Sequence, residues 1–188
     1  MAKYLVTRDF QPEGIFAIDT RAGIKHLRVP RDGDISVNMG HVTDEMEEIE
    51  ATNNGHTWSG FNINVGNPHA VVFVDSMEDI GSLAEAPKVS PASSYPEGVN
   101  VEFIEILPNH EVKMRVHERG SGETQSCGTG TCAVALVATT DGLAKCPHRS
   151  RVFSRGWAML QIAKSLHIFF SLLITRARFI GGGSCRCG

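Results

Sequence analysis

The sequence has no acidic residue after Asp141, although its 188 residues include 21 acids and 18 lysines or arginines. All of the acids and ten of the basic residues lie at or before Asp141, and the other eight basic residues follow it. One folded domain rarely changes composition so abruptly, so we expect a seam at residues 141–150.

Other absences narrow the class of protein. Gln161, Lys164 and His167 interrupt the apolar run near the C-terminus, so no stretch of about 20 apolar residues is present and no membrane span is expected. The five cysteines form no pair of C-x-x-C motifs, which argues against a structural zinc site, and we expect no metal. A signal peptide is also lacking, so we expect a reducing, cytoplasmic setting. The basic tail has no recognition module, which argues against nucleic-acid binding.

A glycine-rich stretch, residues 118–133, is the most informative part of the chain. Cys127 lies within it, and the run from Ala133 to Ala138 that follows has no polar residue, which predicts a buried helix. The free N–H groups and dipole of a helix start favour an anion and would lower the pKa of a thiol there. The sequence therefore suggests an activated thiol beside an anion site. A buried cysteine beside a structural turn explains the spacing equally well.

Short apolar or alternating segments between glycine, proline and aspartate turns predict strands. Alternation in residues 99–106 and 111–117 predicts antiparallel pairing with one wet face. We expect a solvated loop or helical turn in the acidic run 44–50 and a short helix at 77–83. The remaining predicted strands are 15–20, 26–29, 35–39, 61–65 and 70–74.

Three segments in a fixed order resemble diaminopimelate epimerases. Residues 118–124, followed by Cys127-Gly128-Thr129-Gly130, resemble the family's C-terminal signature. Gly66-Asn67-Pro68-His69 and residues 99–103 agree as well, and residues 37–40 also fit. The resemblance covers roughly residues 14–142. It implies an α/β (α+β) fold in which a mostly antiparallel, barrel-like sheet wraps around a central helix.

The resemblance also implies a division of the chain. Residues 1–24 would be a remnant of the family's N-terminal domain, and residues 25–142 its C-terminal domain. Residues 143–188 would be an aberrant basic and apolar tail, for which we suggest a shifted reading frame or an abnormal transcript. An uninterrupted frame in independent isolates would contradict that suggestion.

The family interconverts LL- and meso-diaminopimelate for lysine and peptidoglycan synthesis, using two cysteines as acid and base without pyridoxal phosphate or metal. By resemblance, Cys127 would be one of these thiols, and His69 and Glu118 would set its protonation state. The residues implied to bind the substrate, by side chain or backbone, are Asn67, Asn100, Glu118, Arg119, Gly128 and Thr129.

The family's other cysteine lies in a Cys-Gly-Asn-Gly turn that this sequence lacks. Cys132 does not replace it, because five residues along a helix place it about 140° around from Cys127; we expect it to be a core residue. An inactive fragment that at most binds an amino-acid carboxylate, and a proline-racemase-like enzyme with a similar Cys-Gly-Thr-Gly turn, remain alternatives. We expect a small-molecule substrate and allow for a homodimer.

Overall fold

The computed structural model describes residues 2–20, 23–41, 46–107, 111–140, 150–154, 159–164 and 169–174. The elements in chain order are α1 (Ala2–Thr7), β1 (Gly14–Thr20), β2 (Gly23–Val29), β3 (Ile35–His41), β4 (Glu47–Asn53), β5 (His56–Asn64), β6 (Pro68–Phe73), β7 (Lys88–Ser90), a 3-10 turn (Ala92–Ser94), β8 (Asn100–Leu107), β9 (Glu111–Glu118), β10 (Gly122–Thr124), α2 (Gly128–Thr140), β11 (Ser150–Ser154), β12 (Met159–Lys164) and β13 (Phe169–Ile174).

The strands form one sheet in the order β1-β2-β3-β13-β12-β11-β9-β8-β6-β5-β4-β7, with β10 paired to β9. The pairs β6–β8 and β9–β11 are parallel, and the other pairs along this path are antiparallel. Helix α2 contacts strands from both halves of this order, including β5, β6, β8, β11, β12 and β13. The predicted fold, a mostly antiparallel, curled sheet around a central helix, is confirmed.

Helix α2 is buried because strands contact it from several sides. Every residue from Cys132 to Ala138 is buried, and these side chains pack with Ile63, Ile104 and Met114 of the surrounding strands. The uninterrupted apolar run therefore forms the buried helix that the sequence predicts. Cys132 is fully buried in the same cluster, so its prediction as a core residue is also confirmed.

A second apolar cluster covers the opposite face of the sheet centre. Phe103 of β8 is fully buried there, with its ring edge-on to Trp58 at a centroid distance of 5.5 Å. Residues Asn100 to Ile104 are all buried, since β8 lies between β6 and β9 and both of its faces are covered. The prediction of one wet face is therefore wrong for the first five residues of β8.

The secondary structure predicted from the sequence was also wrong for two segments that connect the predicted strands. The predicted solvated loop or helical turn at 44–50 is wrong from Glu47 onward, where β4 begins and pairs with β5 and β7; residues 42–45 lie outside the described parts. The predicted helix at 77–83 is only a turn at 77–80, and Gly81 follows it with a φ of +68°. At the N-terminus, α1 packs Val6 against Leu27 and Val29 of β2.

Parts of the segment expected to be an aberrant tail are strands of the same sheet. Strands β11, β12 and β13 lie between β9 and β3. The seam at 141–149, the remaining tail residues and Cys146, Cys185 and Cys187 lie outside the described residues, and the proposed domain boundaries stay a prediction. Neither helix in the described stretches has the length and hydropathy required to cross a membrane.

Candidate active site

Cys127 is the N-cap residue of α2. Its carbonyl oxygen accepts the first helical hydrogen bond, from the N–H of Thr131 at 2.9 Å, and its Sγ accepts from the N–H of Gly130 at 3.3 Å. The sulfur thus takes the place of the side-chain oxygen that usually caps a helix. The N–H groups of Gly128 and Thr129 come first in the helix and have no intrahelical acceptor. The thiol is therefore held beside a partly positive helix end, as the sequence predicts.

A chain of hydrogen bonds joins the Cys127 thiol to the buried His69–Glu102 pair. The Thr129 hydroxyl lies 3.4 Å from the Cys127 Sγ and accepts from the Asn67 Nδ2, also at 3.4 Å. The Asn67 Oδ1 lies 3.1 Å from the His69 Nε2, and the His69 Nδ1 lies 2.7 Å from the Glu102 Oε1. Both His69 and Glu102 are fully buried. Segments far apart in sequence thus converge on the Cys127 thiol.

Strand register explains how these groups meet. Strands β6 and β8 are parallel neighbours, with His69 opposite Asn100 and Val71 opposite Glu102. The start of α2 approaches this pair of strands at Gly130, where an added Cβ would overlap the Glu102 carboxyl group. The lack of a side chain at Gly130 therefore makes room for Glu102.

Glu102 is the residue of this cluster to which sequence reasoning assigned no role. It lies inside one of the three family-like segments, and it is a carboxylate in the otherwise apolar run from Val101 to Ile104. A charged residue on a strand that is buried on both faces would have been the signal. The alternation of the segment instead suggested a solvated face, which concealed it.

Burial raises the pKa of the Cys127 thiol to about 11, and the charges of Glu102 and Glu118 act in the same direction. The hydrogen bonds from Thr129 and the Gly130 N–H act in the opposite direction but are weaker. Hydrogen bonds at the helix start thus act in the expected direction, but the expected net lowering of this pKa is wrong for this structure. Only 5% of the Cys127 surface is exposed, so loss of hydration outweighs the capping interactions.

The other predicted substrate-binding side chains gather where β8 begins and β9 ends. The Asn100 Oδ1 accepts from the backbone N–H of Arg119 at 2.9 Å, and the Arg119 guanidinium donates to the Glu97 carbonyl oxygen at 3.3 Å. The Glu118 carboxylate accepts from the Thr124 hydroxyl. Each of these three side chains thus has a partner within the protein. A ligand would compete with these partners or add to them.

His69, Glu102 and Cys127 also raise the question of a metal ion, because one ligand atom from each lies within 4.8 Å of the others. Zinc holds nitrogen and oxygen ligands at about 2.0–2.1 Å, so tetrahedral geometry separates them by about 3.4 Å. The His69 Nδ1 and Glu102 Oε1 are 2.7 Å apart, which is a hydrogen-bond distance. The side chains as placed fit a hydrogen-bonded pair better than a metal site. The predicted lack of a metal stays a prediction.

Comparison with known proteins agrees with the motifs. The family model described as diaminopimelate epimerase matches residues 61–164. A diaminopimelate epimerase from Streptomyces coelicolor is 46% identical over 143 residues, which cover 76% of this chain and 50% of that protein. A diaminopimelate epimerase from Parabacteroides distasonis is 35% identical over 149 residues, covering 77% and 55%. The chain spans about half the length of the curated relatives it matches.

Solved structures show the same fold in more distant proteins. A probable proline racemase from Agrobacterium radiobacter superposes with a TM-score of 0.64 at 16% identity, covering all of this chain and 66% of its own. A hydroxyproline epimerase from Agrobacterium vitis gives a TM-score of 0.57 at 16% identity, covering 96% and 62%. At such identities the likeness concerns the fold alone and indicates no substrate.

Proposed function

We propose that this chain, which belongs to the diaminopimelate epimerase family, carries one half of the active site of a cofactor-independent epimerase that interconverts LL- and meso-diaminopimelate. The observation that supports this most is the Cys127 thiol at the start of a buried helix, joined through Thr129 and Asn67 to the His69–Glu102 pair.

The chemistry requires an acid and a base on opposite faces of the substrate Cα. The Cα proton is weakly acidic, so the developing carbanion needs electrostatic stabilisation as well as a base. With a pKa of about 11, the Cys127 group is a neutral thiol near pH 7 and is suited to the role of acid. It would donate its proton to the carbanion and become a thiolate that the Gly130 N–H stabilises. In the reverse direction this thiolate would take the Cα proton.

The start of α2 would bind the substrate carboxylate that flanks this carbon. The N–H groups of Gly128 and Thr129 are the donors nearest the thiol, and the helix dipole favours a negative charge there. A carboxylate held by both groups would place Cα close to the Cys127 sulfur and would spread the carbanion's charge toward the helix. The side chains proposed to bind the remaining polar groups are Asn67, Asn100, Glu118 and Arg119.

His69 and Glu118 would set the protonation state of the thiol. Glu118 raises the pKa of Cys127 by its charge, and His69 is linked to Thr129 through Asn67. The second acid/base group would come from the half of the family's length that this chain does not span, or from another chain. We place the enzyme in the cytoplasm, in lysine and peptidoglycan precursor synthesis.

The test is to incubate the purified chain with LL- and, separately, with meso-diaminopimelate in deuterated water and to follow Cα deuterium and stereochemistry. Exchange through Cys127 alone needs no second group for the isomer whose Cα proton faces this thiol, so that isomer is the one expected to take up deuterium. We expect deuterium uptake that is lost in Cys127→Ala and retained in Cys132→Ala, the matched change at a buried cysteine of the same helix. Absence of uptake by a chain with an intact circular dichroism spectrum would overturn the proposal in favour of an inactive fragment. Uptake into L-proline but not into diaminopimelate would favour a proline-racemase-like enzyme.

A further inference from the structure

The geometry points to Glu102 as a positioning residue of this site, whose carboxyl group fixes the His69 ring and shares one proton with it beside the Cys127 thiol. The role of Glu102 in catalysis rests on the proposed function, whereas the contacts that Glu102 makes do not.

Burial of Glu102 needs a cause, because a carboxyl group loses favourable hydration when it enters a protein interior. It is fully buried on β8, and its Oε2 has no hydrogen-bond partner among the described residues. Its Oε1 is held by the His69 Nδ1 at 2.7 Å, and Gly130 leaves the space that the carboxyl group fills. An apolar residue would fill this space at lower cost. The interaction with His69 therefore explains the position.

Hydrogen-bond directions fix the number of protons in this pair. The Asn67 Nδ2 donates to Thr129, so the Asn67 Oδ1 faces the ring as an acceptor and the His69 Nε2 must carry a proton. The Nδ1 then either accepts from a protonated Glu102 or donates to its carboxylate. In both arrangements one proton lies between the two residues and the pair has no net charge. Burial raises the pKa of Glu102, which favours the protonated carboxyl group.

The net charge of the His69–Glu102 pair affects the pKa of the Cys127 thiol because the groups are close. Ligand atoms of His69, Glu102 and Cys127 all lie within 4.8 Å of one another, a range in which a like charge raises a pKa by about 1–3 units. A neutral pair permits the thiolate, and loss of the shared proton opposes it. Two other ionisable groups act here. The charge of Glu118 raises the pKa of Cys127, and Cys132 interacts both with Cys127, which raises the pKa of Cys132, and with Lys25, which lowers it.

The experiment compares Glu102→Gln with Glu50→Gln, a matched change at an exposed carboxylate on β4. Glutamine has nearly the same shape and can donate to the His69 Nδ1, but it has no proton to lose. The readout is the rate at which iodoacetamide alkylates Cys127, followed by mass spectrometry of its peptide from about pH 6 to about pH 11. On this inference, the pair of the unsubstituted chain has lost its shared proton, and is negative, at the alkaline pH where the thiol ionises, whereas the pair in Glu102→Gln stays neutral. We therefore expect Glu102→Gln to lower the midpoint by about one unit or more, which is about tenfold faster alkylation just below it. The Glu50→Gln profile should match that of the unsubstituted chain.

An unchanged midpoint in folded Glu102→Gln would overturn the inference, since a purely structural role would not respond to charge. If Glu102→Gln does not fold, the protonation state of the His69 ring in the unsubstituted chain provides the test. Nitrogen-15 spectra of histidine-labelled, unsubstituted chain should show a protonated His69 Nε2 near neutral pH. An unprotonated His69 Nε2 would also overturn the inference that Glu102 and His69 share one proton. A shifted midpoint in a chain that takes up no deuterium would leave the role of Glu102 intact while the proposed function fails.

Discussion

Raising the pH from about 8 to about 10 should destabilise the fold through the buried Cys127 thiol. The pKa of this thiol is about 11 in the folded chain and 9.0 for an ordinary cysteine, which represents the unfolded chain. Because the folded value is the higher one, the unfolded state loses its proton first. Stability is therefore complete below about pH 9 and is lost progressively as the pH rises toward 11.

The magnitude follows from the two values. At about pH 10, roughly nine-tenths of the unfolded thiols are ionised but only about one-tenth of the folded ones are. The difference is worth about 1.4 kcal/mol at this pH, and less than about 0.1 kcal/mol at pH 8. Little of the group is exposed, so solvent screening removes little of this effect. The pH change should therefore cost the fold about 1.3 kcal/mol through Cys127 alone.

Cys127→Ser isolates this contribution. A serine oxygen can accept from the Gly130 N–H and cap α2, but it does not titrate in this range. Urea unfolding of both chains at the two pH values should show that the unsubstituted chain loses about 1.3 kcal/mol more than the variant, a difference in midpoint of about 0.5–1 M urea. Both chains are made in a Cys132→Ala background, because the charge of Cys127 acts on the pKa of Cys132. The remaining titrating groups are present in both chains and largely cancel. Equal losses in the two chains would refute a raised pKa at Cys127.

Two further changes test the packing around the site by urea unfolding. Phe103→Ala should cost about 3–5 kcal/mol because it empties a buried position, whereas Phe10→Ala, at a side chain that is 69% exposed, should change stability by less than about 0.5 kcal/mol. Arg115→Gln should cost about 2 kcal/mol because it removes two mostly buried hydrogen bonds to Glu123, of 2.8 and 3.1 Å, whereas Lys113→Gln, at a half-exposed ion pair, should cost less than about 1 kcal/mol.

Equal losses within either of these two comparisons would contradict the corresponding argument. For the phenylalanines, equality would mean that the second apolar cluster contributes little to stability. For the basic residues, it would mean that burial does not strengthen the Arg115–Glu123 interaction relative to an exposed pair.

Several strands were visible in the sequence because their apolar residues alternate or cluster between turns. Strands at the sheet centre, such as β6 and β8, were found in this way, although the covering of both β8 faces was not. Strand β4 was missed because its acidic residues suggest a solvated loop. It forms because β5 and β7 supply partners for its backbone on either side, and such pairing between distant segments leaves no local pattern.

The sequence by itself determined the position of the thiol. The apolar run from Ala133 to Ala138 after a glycine-rich turn predicts a buried helix, and the turn places Cys127 just before its first residue. Spacing along one chain segment is enough for this, because the helix repeat relates neighbouring residues directly.

Only the tertiary structure decided how the thiol ionises. The pKa of Cys127 depends on how much water the packed strands exclude and on Glu102. This carboxyl group lies 25 residues away in sequence and meets the thiol where the start of α2 packs against β8 at Gly130. The helix dipole could be inferred from local sequence, but its effect is smaller than that of desolvation. Desolvation is a property of everything that surrounds a group, so it is defined only once the chain has folded.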